Sequence, residues 1–248
     1  MTIDFDALTE RDIAKAIDHS LLRPELDDAF IEDGCRLAAE YDVASVCVRP
    51  VDVIRSSALL HDTDIAVGTV IGFPHGGQLT ATKVFEARQA LEDGATELDM
   101  VIQIGALKSG RDAAVQADIA AVVEVAHAAG AIVKVIFENA YLTDDEKIRA
   151  CRLSEAAGAD FVKTSTGFAP GGATHDDLRL MRANTSPHIQ VKAAGGVRTL
   201  DALLDVMALG VTRIGATATK SIIDDFRARK AGRAPAAVAG GAESGGSY

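Results

Sequence analysis

The sequence predicts an α/β fold of parallel strands flanked by helices. A barrel of eight βα units and a doubly wound sheet are the two ways it could close. Three observations carry this expectation. Short β-branched apolar runs alternate with helical patterns along the chain, and glycines recur where a helix hands over to the next strand. The third is the length of 248 residues, at which α/β barrels commonly run as one unit. With 48% hydrophobic and 25% charged residues there is ample material for a buried core.

The strands follow in order. A short piece at Ile17-Asp18-His19 is a candidate first strand, and apolar runs fall at 43–48, 65–71, 97–102, 132–137, 160–164, 189–193 and 212–215, giving seven or eight βα units. Several are nearly continuous in hydrophobicity, as strands covered on both faces are. Between them, Thr143-Asp144-Asp145-Glu146 has the full capping-box pattern of a helix start, and Thr174-His175-Asp176-Asp177 has the related Thr-x-x-acid pattern. Gly94, Gly130, Gly158 and Gly210 each close a helix before a strand, at spacings of 36, 28 and 52 residues, the last equal to about two units. Periodicity of this kind specifies right-handed βα crossovers but does not separate a barrel from an open sheet. The barrel domain is expected over 1–230. Residues 231–248, rich in Ala, Gly and Ser, read as a flexible tail.

Composition excludes several classes. A net charge of −11, from 36 acidic and 25 basic residues, argues against general nucleic-acid binding, and 4% aromatics with no Trp supply few stacking platforms. Cys35, Cys47 and Cys151 form no C-x-x-C pair, which points to a reduced, cytoplasmic protein without structural zinc. No apolar run marks a signal peptide, and no stretch of about 18 apolar residues marks a membrane span.

Three lysines lie inside apolar strands: Lys134, Lys163 and Lys192. Burying an ammonium is costly, and the usual relief is a lowered pKa, which makes the amine a nucleophile for carbonyl carbon. Two lysines close together would each disfavour the other's charge. Asp99 lies five residues after Gly94 as Lys163 lies five after Gly158, two strands further on. In a barrel, alternate strands share one interior layer, so Asp99 and Lys163 are expected at one level. One buried strand lysine is as readily a structural ion-pair member; three with an aspartate point to chemistry.

Two glycine-rich segments follow late strands. Gly195 and Gly196 sit in Ala193-Ala194-Gly195-Gly196-Val197-Arg198-Thr199, and Gly215, Ala216 and Thr217 in Ile214-Gly215-Ala216-Thr217-Ala218-Thr219. Backbone N–H groups and helix N-termini there could cradle a phosphate, although such glycines also make ordinary tight turns. The loop after Lys163, with Thr166 and Gly167, could hold a substrate's polar groups or be a plain connection. Among the histidines no H-x-H or H-E-x-x-H pattern occurs, so no metal site is expected, and His75 is read as shaping a βα loop.

Together these residues resemble the deoxyribose-phosphate aldolases, class I (Schiff-base) enzymes. The resemblance spans nearly the whole chain, from Ile17-Asp18-His19-Ser20-Leu21-Leu22 to Arg213-Ile214-Gly215-Ala216. Its most specific blocks are Val70-Ile71-Gly72-Phe73-Pro74-His75-Gly76, Glu97-Leu98-Asp99-Met100-Val101, Phe161-Val162-Lys163-Thr164-Ser165-Thr166-Gly167-Phe168 and Val191-Lys192-Ala193-Ala194-Gly195-Gly196-Val197-Arg198-Thr199. It implies a single (β/α)8 TIM barrel that cleaves 2-deoxy-D-ribose 5-phosphate to acetaldehyde and D-glyceraldehyde 3-phosphate, in deoxyribose catabolism, with no cofactor. By position Lys163 is the implied Schiff-base nucleophile, Lys192 the lysine that depresses its pKa, and Asp99 the proton-transfer carboxylate. Asp18, Cys47 and Lys134 are candidate supports. A carboxylate working through a water can move the protons the reaction needs.

Three positions depart from the common family pattern: Arg49 in Cys47-Val48-Arg49-Pro50, where Asn is usual; Asn139 after Glu138, where Thr is usual; and Thr217-Ala218, where paired serines are usual. They bear on phosphate affinity and the acceptor. A paralogue with the same Schiff-base machinery acting on another or an unphosphorylated aldol is the nearest alternative, and a non-catalytic sugar-phosphate-binding barrel a more distant one. Tyr248, at the end of the tail, could reach the barrel mouth and assist protonation, or simply dangle. The expected partners are a small sugar phosphate and an aldehyde, with no nucleic acid and no membrane. The outer helices of a barrel allow a homodimer without specifying one.

Overall fold

A computed structural model of the chain describes residues 3–233. Eight strands alternate with ten helices: α1 (Glu10–Ala14), β1 (Ile17–Leu21), α2 (Asp28–Glu40), β2 (Ser45–Val48), α3 (Val53–Leu60), β3 (Ala66–Ile71), α4 (Thr80–Glu92), β4 (Glu97–Val101), α5 (Ile104–Lys108), α6 (Asp112–Ala128), β5 (Ile132–Ile136), α7 (Asp144–Ala156), β6 (Phe161–Lys163), α8 (His175–Ala183), β7 (Gln190–Ala194), α9 (Leu200–Ala208), β8 (Arg213–Ala216) and α10 (Thr219–Lys230). Every neighbouring pair is parallel, and β8 returns to pair with β1 through Ile17–Ile214 and Asp18–Gly215. That closure excludes the doubly wound alternative and makes the fold a (β/α)8 barrel.

The expected helix starts are in place. Thr143 accepts from the Glu146 backbone while the Glu146 side chain returns to the Thr143 N–H, a full capping box, and Thr174 caps α8 through Asp177 N. Gly94, Gly130, Gly158 and Gly210 have φ of 106°, 75°, 82° and 89°, a region that side chains disfavour.

The strand register decides what faces inward. Outward residues such as Val46, Val67, Leu98, Met100, Val133, Val135, Val162 and Val191 form the main core against the helices. Each contributes about 1.5–3 kcal/mol by leaving water. Their neighbours at period two point into the barrel: Asp18, Ser45, Glu97, Asp99, Lys134, Phe161, Lys163, Lys192 and Arg213, linked by the pairings Asp99–Lys134, Lys163–Lys192 and Lys192–Arg213. The outer apolar layer therefore carries the stability, which leaves the interior free to be polar.

Candidate active site

Asp99 is the hub of the interior. Its side chain is fully buried. Oδ1 accepts from Lys134 Nζ at 2.8 Å, and Oδ2 accepts from both Lys163 Nζ and Lys192 Nζ at 2.8 Å. The expectation that Asp99 and Lys163 share one level is met by direct contact. Asp18 joins the same network, with Oδ2 2.5 Å from Lys192 Nζ and 3.6 Å from Lys134 Nζ.

Beneath this layer lies a second set that sequence reasoning missed. Arg213 Nη2 donates to Glu97 Oε1 and Oε2 at 2.9 and 2.8 Å and to Ser45 Oγ at 3.2 Å, and Arg213 Nε donates to Asp18 Oδ1 at 2.5 Å. Lys134 Nζ also donates to Glu97 Oε2 at 2.5 Å. The signal was present: Glu97 precedes Asp99 by two residues, the strand period that sends both side chains to one face.

The charge count separates the three lysines. Asp18, Glu97 and Asp99 face four cations, Lys134, Lys163, Lys192 and Arg213; among the described residues Lys163 has one carboxylate partner, Asp99, where Lys192 has two and Lys134 three. Burial pushes the Lys163 pKa down, and the neighbouring Lys192 charge adds to that, so it lies below the ordinary lysine value although Asp99 opposes the shift. Burial acts on Lys192 and Lys134 in the same sense. There it is outweighed, by Asp18 and Asp99 at Lys192 and by Asp99, Glu97 and Asp18 at Lys134, and both are raised. The two lysines thus do not depress each other equally, because Asp18 lies against Lys192. Burial alone would raise Asp99, but Lys134, Lys163 and Lys192 hold it well below the usual carboxylate range.

The loops above the strands complete the mouth. Thr164 Oγ1 donates to the Ala194 carbonyl at 3.2 Å and accepts from Ala194 N at 3.1 Å. Thr166 is buried, with its hydroxyl on the Glu138 carboxylate, its N–H 3.2 Å from Glu138 Oε2, and Phe168 N donating to its Oγ1 at 3.0 Å. Its hydroxyl is thus engaged in shaping the loop. Glu138, the organising residue, has φ 56° and was not singled out from sequence. Gly167, Gly195 and Gly196 have φ of 89°, 78° and 92°, a left-handed backbone that side chains disfavour. Gly215 and Ala216 lie within β8 itself, and Thr217 is the first residue beyond it. A Cβ on Gly215 would sit 3.8 Å from Lys192 Cε, which places this glycine in the wall beside the lysines. Thr217 lines a cleft of about 140 Å3 with His19, Ser20, Leu21, Leu22, Arg23, Leu26 and Phe30.

Leu22, Cys47 and Val70 form a small apolar cluster apart from the main core, with Phe73 packed against it. Burial pushes the Cys47 thiol up to about 11, so it acts as a small hydrophobe. Arg49 is engaged by Asp52 at 2.6 Å and the Pro24 carbonyl at 2.9 Å. A larger cleft, about 500 Å3, lies on the outer wall among Pro50, Val51, Gln78, Phe85 and Glu86, and includes none of the inward lysines. Among the described residues no group of three or more His, Cys, Asp or Glu side chains is placed to hold a metal ion, and no helix is long and apolar enough to cross a membrane. Tyr248 and the tail from 234 onward lie outside the described residues.

The sequence model of the DeoC/LacD family of aldolases matches residues 12–236. A deoxyribose-phosphate aldolase of Rhodopirellula baltica is 51% identical over 216 residues, covering 87% of this chain and 90% of that protein. One of Thermococcus gammatolerans is 52% identical over 218 residues, covering 87% and 97%. The tetrameric deoxyribose phosphate aldolase of Aeropyrum pernix superposes with a TM-score of 0.82 at 31% identity, covering 89% of this chain and 93% of that one.

Proposed function

The chain belongs to the DeoC/LacD aldolase family, and we propose that it is a deoxyribose-phosphate aldolase, splitting 2-deoxy-D-ribose 5-phosphate into acetaldehyde and D-glyceraldehyde 3-phosphate through a Schiff base on Lys163. The observation that carries this is the buried Lys163 amine, 2.8 Å from Asp99, held below its ordinary pKa beside two lysines that stay charged.

Neutral Lys163 Nζ adds to the C1 carbonyl of the open-chain sugar. Loss of water leaves an iminium, into which the C2–C3 bond electrons can flow. The C3 hydroxyl gives up its proton as that bond breaks, releasing glyceraldehyde 3-phosphate and leaving an enamine. Protonation at C2 and addition of water then free acetaldehyde and the amine. Asp99, through a water, is the group that moves these protons. The backbone of Gly195 and Gly196, with Thr217 two residues before the start of α10, holds the 5-phosphate. Gly167 gives the loop after Lys163 the turn that brings its backbone to the sugar. The three cysteines are free and buried, which suits a reduced cytoplasm. Assembly is as a homodimer, and exposed Val51, Ile54, Leu79 and Phe85 are the apolar surface available to it; sedimentation measures it.

Borohydride reduction in the presence of deoxyribose 5-phosphate, followed by peptide mapping, should yield N-ethyl-lysine at position 163. Folded protein with no adduct there overturns the mechanism. A second reading, a preference for an unphosphorylated aldol, rests on Ala218, which removes a hydroxyl from the phosphate end; kcat/KM for deoxyribose against its 5-phosphate separates the two.

A further inference from the structure

Phe73 follows β3 and Phe168 follows β6. In the closed strand order these are three steps apart one way and five the other, so their loops rise from nearly opposite sides of the mouth. Their rings nevertheless meet edge to face, with centroids 5.2 Å apart and planes at 90°. The loop that carries Phe168 is tied at both ends to one strand. Thr164 bonds Ala194 in both directions, and Ala173 N donates to the carbonyls of Ala194 and Gly195 at 3.0 Å. Gly172 packs so close that a Cβ there would lie 2.6 Å from the Gly195 backbone. The phenyl ring, 44% exposed, is therefore held over the mouth by a fixed span.

Beneath the pair lies the apolar cluster of Leu22, Cys47 and Val70, against which Phe73 packs. Cys47 sits within the electrostatic reach of Asp99, Lys192 and Lys163. The glycine-rich loops follow β7 and β8, so a sugar phosphate condensed on Lys163 points its phosphorylated end there. Its aldehyde-derived carbons are left on the side of β1 to β3. We propose that Phe168, braced by Phe73, is a specificity-determining wall that closes this cluster over the two carbons carried on Lys163 and leaves no room for a third. This rests on the Schiff-base reading above.

The test measures kcat/KM for propanal and for acetaldehyde as donors to glyceraldehyde 3-phosphate, in the full chain and in Phe168→Ala, Phe168→Leu, Phe73→Leu and the Phe168→Ala/Phe73→Leu double variant. One methylene in an apolar pocket is worth about 10-fold to 200-fold in discrimination. Phe168→Ala should therefore raise the propanal-to-acetaldehyde ratio roughly tenfold or more, and Phe168→Leu should restore part of the selectivity. The double variant should change the ratio less than the product of the single effects, because both rings form one wall. A ratio within about twofold of the wild type in both single-site Phe168 variants, with the Lys163 adduct still trapped by borohydride, overturns the wall alone. Wild-type protein that forms no adduct overturns the Schiff-base reading and the wall with it. Loss of both activities in equal proportion marks a structural role and also counts against the proposal.

Discussion

Lys163 and Lys192 place their Nζ atoms at the same distance, 2.8 Å, from the same oxygen, Oδ2 of Asp99. Lys192 has Asp18 as a second partner at 2.5 Å and Lys163 does not. The difference of one carboxylate divides their electrostatics: the pKa of Lys192 is raised and that of Lys163 is lowered.

Lys192→Leu removes a positive neighbour of Lys163 and leaves Asp99 with one fewer cation. Both changes stabilise the Lys163 ammonium, so its pKa rises. The rising limb of the kcat/KM profile should move to higher pH, with a loss of roughly tenfold or more at pH 7. An unmoved limb in a folded variant removes Lys192 from this role.

Asp99→Asn keeps the shape of the hub and removes its charge. Lys163 loses the partner that favours its ammonium, so its pKa falls further and condensation persists. Turnover should fall by on the order of 10²–10⁴-fold, the scale of general acid–base catalysis. Borohydride should still label Lys163. Turnover near wild type would show that protons move by another route.

His19 is buried, with Nδ1 2.8 Å from Thr219 Oγ1, and burial pushes its pKa down to about 4. The unfolded chain binds the proton at about 6.5, so the stability held by the neutral ring is complete above that pH and is lost as pH falls toward 4. The loss amounts to about 3 kcal/mol across that window. Urea unfolding of His19→Gln should show a flatter pH dependence between 6.5 and 4 than the wild type, whatever its stability at pH 7. Parallel curves would mean that His19 titrates alike in both states.

Ala218 precedes α10 and makes no side-chain cap. Ala218→Ser adds a hydroxyl at the proposed phosphate end. The KM for deoxyribose 5-phosphate should fall roughly tenfold, the worth of one hydrogen bond to a charged group, while that for deoxyribose stays put. Equal changes for both substrates would place position 218 outside the phosphate contacts.

The alternation of strands and helices could be read from residues alone, because apolar period and helix caps are local and each fixes its element without reference to the rest. The helix starts at Thr143 and Thr174, and the inward lysines that each follow a valine, could be read this way. The level shared by Asp99 and Lys163 was also legible, since equal offsets from Gly94 and Gly158 count the same number of residues along two strands. Closure was not legible, because the β1–β8 pairing joins the two ends of the barrel and leaves no local mark. Nor was the second charged layer of Glu97 and Arg213, or the engagement of Thr166 by Glu138, because these partners come from strands and loops far apart in the chain. Which of the three lysines has a lowered pKa emerged from the folded arrangement alone. A buried pKa is set by the sum of all charges within a few ångströms, and that sum exists only once eight strands bring Asp18, Glu97, Asp99 and Arg213 around the three amines.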